Sequence, residues 1–286
     1  MTYCCQMYSL SLVPERVHAV FGMEHMTYFA VSNIVGIAAL VLVLKFCRSD
    51  KSQNTALLVT AGLLLAAAVI HRFVLAFHPG SAPYGGWQYL IPSSFCSVTA
   101  TAFGTTVLLI RNKNHPVFHC LMYMAFIGPV IVKFYPDWLF RDGLSHPATV
   151  VALIHHSLSF YLCMAIVFMG KWRPNIRLWY AAYLGTAMYI LLGHFLVQAL
   201  DLYASMGIWF RISDYVYING EFHHVTLTRG RHIVLDWLWW WPVTPIFVAY
   251  HWAVMGGWIL AERKGARILG FFRRRSDAVD VAYKRT

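Results

Sequence analysis

Residues 90 to 98, LIPSSFCSV, place a proline, three serines and a cysteine in an otherwise apolar stretch. A thiol or hydroxyl at a helix start is chemically interesting, because the free backbone N–H groups there stabilise a thiolate or an oxyanion. Ser93 and Cys96 are three apart, so they share a helix face. A nucleophile of this kind needs a base, commonly a histidine. The histidines inside apolar runs of the chain include His71, His155, His156, His194 and His251. Cys96 and Ser93 are candidate nucleophiles, and His156 is the candidate base because its depth matches that of Cys96. The plainer reading stays open: Ser93 and Ser94 as helix caps, Cys96 as a small packing residue.

The elements that must position these groups follow from composition. Of 286 residues, 59% are hydrophobic and 12% charged, whereas a soluble domain carries about a quarter charged residues. Apolar runs of bilayer length recur, which predicts an all-α polytopic membrane protein, a seven-transmembrane-helix bundle. The spans are read at 28–46, 55–77, 89–110, 117–135, 148–169, 178–200 and 242–261. A transmembrane barrel would alternate in short segments, and these runs do not. The division is an outer segment 1–27, a membrane domain 28–261 with a long loop at 201–241, and a basic tail 262–286. The first 20 residues lack the charged start and apolar core of a signal peptide. Six cysteines at 4, 5, 47, 96, 120 and 163 show neither a CxxC pair nor zinc spacing, so neither a disulfide framework nor a metal centre is expected.

The net charge of +11 reads as a topology signal, with no nucleic-acid partner implied. Sixteen of the 23 Lys and Arg fall on one set of loops and the tail, including Lys45, Arg48, Arg111, Lys113, Lys171 and Arg173. That side is expected to be cytoplasmic, with the N-terminus outside and the C-terminus in the cytoplasm of a multi-pass cell-membrane protein. The tail segment RILGFFRRR reads as a stop-transfer flank or a short amphipathic anchor.

Depth follows from a rise of about 1.5 Å per residue. On that scale His71, His155, His156 and His194 lie roughly 9 to 12 Å from the outer ends of their spans, and His251 about 14 Å. Cys96 falls about 10 Å in, or about 6 Å if its helix starts at Pro92. Arg72 and Lys133 lie toward the same side. Ionisable groups at such depth usually face a bundle interior or a wet cavity. The layer therefore predicts one outward-opening polar cavity, although each histidine alone could simply bond a neighbouring helix.

Four stretches resemble the YwaF-like bacterial membrane proteins and their animal relatives, the transmembrane protein 164 family of lipid acyltransferases. VFGMEHM resembles the family's Phe-Gly-x-x-His lead-in, which puts His25 at its histidine. LIPSSFCSV resembles the bacterial Leu-Pro-x-His-x-Cys-Ser stretch, with Pro92 and Cys96 matching and Ser94 in place of the histidine. In the animal branch the acyl-accepting cysteine directly follows the proline, where this chain has Ser93. LIHHSLSFYL resembles the segment carrying the family's functional histidine, which falls on His156, and WWWPVTP resembles a Trp-Pro lead-in to the last span. GHFLVQ stands where the family has an Asn-Tyr pair, so His194 and Gln198 are substitutes there.

The resemblance implies lipid-linked acyl transfer at the outer leaflet. A Cys or Ser nucleophile would take an acyl chain from a donor lipid and pass it to an acceptor lipid, with a histidine base and no metal or soluble cofactor. His25, His71, Arg72, Ser94, His155, His194, Gln198 and His251 are then the expected substrate-binding set. Two alternatives stay open: a non-enzymatic lipid-binding protein or transporter, and a metal-dependent intramembrane hydrolase using histidines as ligands. In the long loop, RISDYVYINGEFHHVTLTRGRH alternates around Asn-Gly and predicts a hairpin, either a lid or a solvated excursion. DWLWWW reads as an interfacial aromatic belt.

Overall fold

The computed structural model describes residues 22–78, 90–92, 95–134, 143–200, 215–218, 221–224 and 247–260; the side chains of Phe95, of 190 and 193–200, and of 215–224 are outside it. Apart from one hairpin and the connections between elements, the described chain is helical. The helices are α1 (Met23–Phe46), α2 (Asp50–Phe77), α3 (Phe95–Leu109), α4 (Pro116–Phe134), α5 (Pro147–Phe168), α6 (Ala181–Leu200) and α7 (Phe247–Leu260). Each coincides with one of the apolar runs. Four of them, α1, α2, α4 and α5, are long and apolar enough to cross a membrane; α3 and α7 are shorter apolar helices. The hairpin pairs β1 (Tyr215–Ile218) with β2 (Glu221–His224), antiparallel, Tyr215 opposite His224. The rest of the 201–241 loop, the aromatic stretch, the N-terminal segment to residue 21 and the basic tail lie outside the described residues.

The starts of these helices are written locally. Pro116 and Pro147 open α4 and α5, where a missing N–H costs nothing. The Ser49 hydroxyl caps α2 by accepting from the Ser52 N–H at 3.1 Å, and Asp50 follows in the first turn, where the helix dipole favours an anion. Two boundaries move the site. α1 begins at Met23, so His25 sits in its first turn and not ahead of it. α3 begins at Phe95, whereas the sequence suggested 89 or Pro92; Cys96 is thus the second residue of the helix. Pro92 itself is not helical, and a proline disfavours helical backbone in the residue before it.

α5 is the hub, packed against α2, α4, α1 and α3, while α6 lies on α4. Leu57, Leu64, Phe103, Phe118, Leu162 and Ile166 are fully buried between them. The outer surface is apolar instead of charged: Ile34, Val35, Leu63, Val69 and Leu191 are exposed. His25, His71, Arg72, Lys133, His155, His156 and His251 are buried. Polar inside and oily outside is what a hydrocarbon solvent selects.

The two ends of the bundle are defined by contacts. At one end Lys171 pairs with Asp50, the Arg173 N–H donates to Asn114 Oδ1 at 3.2 Å, and the Lys113 ammonium donates to the Val107 and Ile110 carbonyls at the end of α3. The lysine pair holds the Asp50 carboxyl below its ordinary range, and burial brings the Lys113 ammonium down to about 8. At the opposite end His25 Nε2 meets the Lys133 carbonyl at 3.0 Å and the rings of His78 and His146 stand 5.5 Å apart. Gly143 takes φ 68° there, beside Glu24. The Lys- and Arg-rich connections 47–49, 110–115 and 169–180 therefore share one end, as their charge suggested.

Candidate active site

Four helices bring the central group together. α2 supplies His71 and Arg72, α3 supplies Cys96, Ser97 and Thr99, and α5 supplies His155, His156 and Ser159. α4 closes the site with Met124, Ala125, Gly128 and Pro129. Cys96 and His156 line the same cavity, of about 10 Å³, together with Thr99, His155 and Ser159. A space of that size holds about one water molecule.

The polar groups are tied in from each side. Arg72 Nη2 donates to Ser97 Oγ at 2.5 Å and lies 3.4 Å from His71 Nδ1. The ring of His71 stands 5.2 Å from that of His155, which stands 4.1 Å from His156. His156 Nδ1 is 2.6 Å from the Ala152 carbonyl one turn back. Only a protonated Nδ1 can make that bond, so Nε2 is the nitrogen with the basic lone pair. Neither ring nitrogen of His155 has a hydrogen bond of good geometry, although the Val151 carbonyl lies close.

Pro129 explains one further contact. Proline has no N–H, so the carbonyl four residues earlier in α4, that of Ala125, loses its helical donor. Ser159 Oγ donates to that carbonyl at 3.1 Å and so repairs the defect across the helix interface. Sequence reasoning passed over Ser159 and the role of Pro129. The signal was available: Ser159 is three residues after His156, on the same face of α5. Ser97 likewise sits beside Cys96 in the stretch singled out, but its partner Arg72 is 25 residues away and on another helix.

The other expected residues do not all join this group. His25 is fixed to Lys133 at the end of the bundle, in a separate polar group with Ser32, Asn33 and Tyr161. His251 is a correction: it was expected in the outer layer with the other histidines, and it lies apart from them. Its Nδ1 is 3.2 Å from the Tyr183 hydroxyl, and its ring stands 4.6 Å edge-on to Tyr123. Tyr123 in turn touches Trp172, which belongs to the connection at the basic end. Counting from residue 242 along its own span puts His251 in the outer layer, but its level is set by docking on α4 and α6. Ser93 and Ser94 lie outside the described residues, and the side chains of His194 and Gln198 on α6 do too. Among the described residues no three His, Cys, Asp or Glu side chains are arranged to hold a metal ion.

The sequence profile described as the TMEM164 family matches residues 20–258. The chain belongs to that family. The match runs from the lead-in to α1 almost to the end of α7, so it takes in every helix and each residue of the Cys96–His156 group. It makes this TMEM164-family chain a membrane protein with several apolar helices. No curated protein and no solved structure matches the chain.

Proposed function

We propose that this TMEM164-family protein is a membrane-embedded lipid acyltransferase. It moves an acyl chain between lipids through a nucleophile at the start of α3, with His156 as base. The observation that carries the reading is the shared cavity: Cys96 from α3 and His156 from α5 border the same buried space.

The chemistry follows in two halves. His156 Nε2 accepts the Cys96 proton as the sulfur attacks the ester carbonyl of a donor lipid. The negative charge that develops on the carbonyl oxygen lies near the first N–H groups of α3, which have no partner within their own helix, and near the Arg72 guanidinium. Collapse of the adduct forms a thioester, and the imidazolium returns the proton to the departing lysolipid hydroxyl. An acceptor hydroxyl then attacks the thioester while His156 takes its proton, and the Cys96 thiol is regenerated. Ser93 takes the nucleophile's place in the variant of this scheme implied by its position directly after Pro92. A cavity of about 10 Å³ does not admit an acyl ester, so turnover requires the side chains over Cys96 to part.

The membrane layout belongs to this proposal too: seven crossings, the basic end in the cytoplasm and the N-terminus outside. Seven apolar helices alternating between two ends, with Lys and Arg gathered at one, support it. Donor and acceptor are then lipids of the outer leaflet of the cell membrane.

The decisive experiment traps the intermediate. Purified protein incubated with a donor phospholipid and no acceptor is digested, and the peptide bearing Ser93 and Cys96 is weighed. A peptide heavier by one acyl chain, discharged by neutral hydroxylamine, identifies a Cys96 thioester. An adduct that survives neutral hydroxylamine points to Ser93, and an unmodified peptide in a protein that transfers acyl chains overturns covalent catalysis.

A further inference from the structure

A second, larger cavity lies on the other side of α5. A cleft of about 540 Å³ opens between α1, α2 and α5, a volume in the range of ligand pockets. Ile154, Ser157, Leu158 and Tyr161 face it, whereas His155, His156 and Ser159 face the Cys96 cavity. The cleft exists because α1 leans on α5 at one point: a Cβ on Gly36 would run into the Tyr161 ring.

Its lining is graded along its length. Along α1 it runs from Thr27 to Val43, which is roughly 24 Å at 1.5 Å per residue. The hydroxyls of Thr27, Tyr28, Ser32, Ser157 and Tyr161 gather toward the end that holds His25. Beyond Ser32 the walls are aliphatic apart from the Tyr161 ring at Gly36 and from Thr60, whose hydroxyl is bonded to the Ala56 carbonyl of its own helix. The aliphatic stretch from Ser32 to Val43 is about 16 Å long, close to the ~15 Å of hydrocarbon in one leaflet.

A buried cation stands behind the hydroxyl end. Lys133 Nζ donates to Ser32 Oγ at 3.1 Å and to Asn33 Oδ1 at 3.2 Å. The rings of Tyr28, Phe160 and Tyr161 stand within 5.9 Å of it. Among the described residues no carboxylate pairs with it. An ammonium in hydrocarbon without a counter-charge is costly, and an anionic or strongly accepting oxygen beside it offsets that cost.

We propose that the cleft holds one acyl chain of a glycerophospholipid, its ester and phosphate oxygens at the Tyr28, Ser32 and Ser157 hydroxyls and in the field of Lys133. The chain lies in the aliphatic stretch. This lipid does not react: α5 stands between it and Cys96. The site is independent of the acyl-transfer reading.

The test is photolabelling of the full-length protein in phosphatidylcholine vesicles doped with a phosphatidylcholine carrying a diazirine midway along one acyl chain. Adducts are mapped by peptide mass spectrometry. They are expected to concentrate on Val35, Ala39 and Leu158. Ala39→Trp fills the cleft from an exposed position and is expected to lower that labelling about tenfold, while Ile37→Trp, exposed but outside the cleft, leaves it unchanged. Lys133→Met lowers it and Lys133→Arg restores it. Equal labelling on all outward faces, or equal loss in Ala39→Trp and Ile37→Trp, identifies boundary lipid and overturns the proposal. Cross-links between two chains across the cleft overturn it in favour of a second copy.

Discussion

The coupling between Cys96 and His156 is open to direct measurement. The perturbations are Cys96→Ala, His156→Gln and the two together. His156 is held by its Nδ1 bond to Ala152 at 2.6 Å, which directs Nε2 away from the helix backbone. A glutamine amide can still donate to that carbonyl but cannot accept a proton. The stability cost should therefore stay near 1 kcal/mol, and the catalytic cost should be that of a lost general base, 10² to 10⁴ in rate, or about 3 to 5 kcal/mol. Cys96→Ala removes the nucleophile and should cost at least as much. If the two side chains act as one unit in the shared cavity, the double variant is no slower than the worse single one. The assay is the initial rate of acyl transfer from a phospholipid to a lysophospholipid in nanodiscs, read by mass spectrometry, with thermal unfolding of every variant alongside. Single variants that retain about a third of the rate or more, or losses that multiply as independent factors, would refute the reasoning.

Two further outcomes follow from contacts around the site and at the basic end. Ser97→Ala removes the acceptor of a buried guanidinium bond and should destabilise the protein by about 1 to 2 kcal/mol in thermal unfolding, with Ser97→Thr much milder; an unchanged midpoint would show that the bond contributes nothing. Lys113 titrates in the folded protein near 8, below the ordinary 10.5, because it is buried. Between those values the unfolded chain holds a proton that the folded chain has shed, so stability should rise with pH from about 8 to 10.5 and stay flat below 8. Lys113→Met should lack that rise, and an identical pH slope in both proteins would contradict it.

How much of this was legible in the sequence differs from residue to residue. Pro116, Pro147 and Ser49 mark their helix starts by rules that act within one turn, and the strands on either side of the Asn-Gly pair formed as alternation predicted. Pro92 misled for a local reason as well. It fits the first turn of a helix, but here it stands ahead of α3, which starts at Phe95. The repair of the Ala125 carbonyl by Ser159 was half legible: the defect follows from Pro129 alone, its remedy only from the packing of α5 on α4. Likewise, that Arg72 must find an acceptor follows from its depth, but that the acceptor is Ser97 does not.

By itself the sequence determined a chain of apolar helices, their approximate limits, the clustering of cations on one set of connections, and which buried polar residues needed explaining. Each of these depends on hydropathy or on contacts within a turn or two. Only the tertiary structure decided that His155 and His156 meet Cys96 with His71 stacked behind His155, that His251 docks elsewhere, and that α1 leaves an oily cleft beside α5. The physical reason is the solvent. A helix in water turns its one apolar stripe inward, but a helix in hydrocarbon is apolar on the lipid side and the protein side alike. Its facing is set by steric fit with its neighbours, as where Gly36 lets Tyr161 approach, and no single helix carries that information.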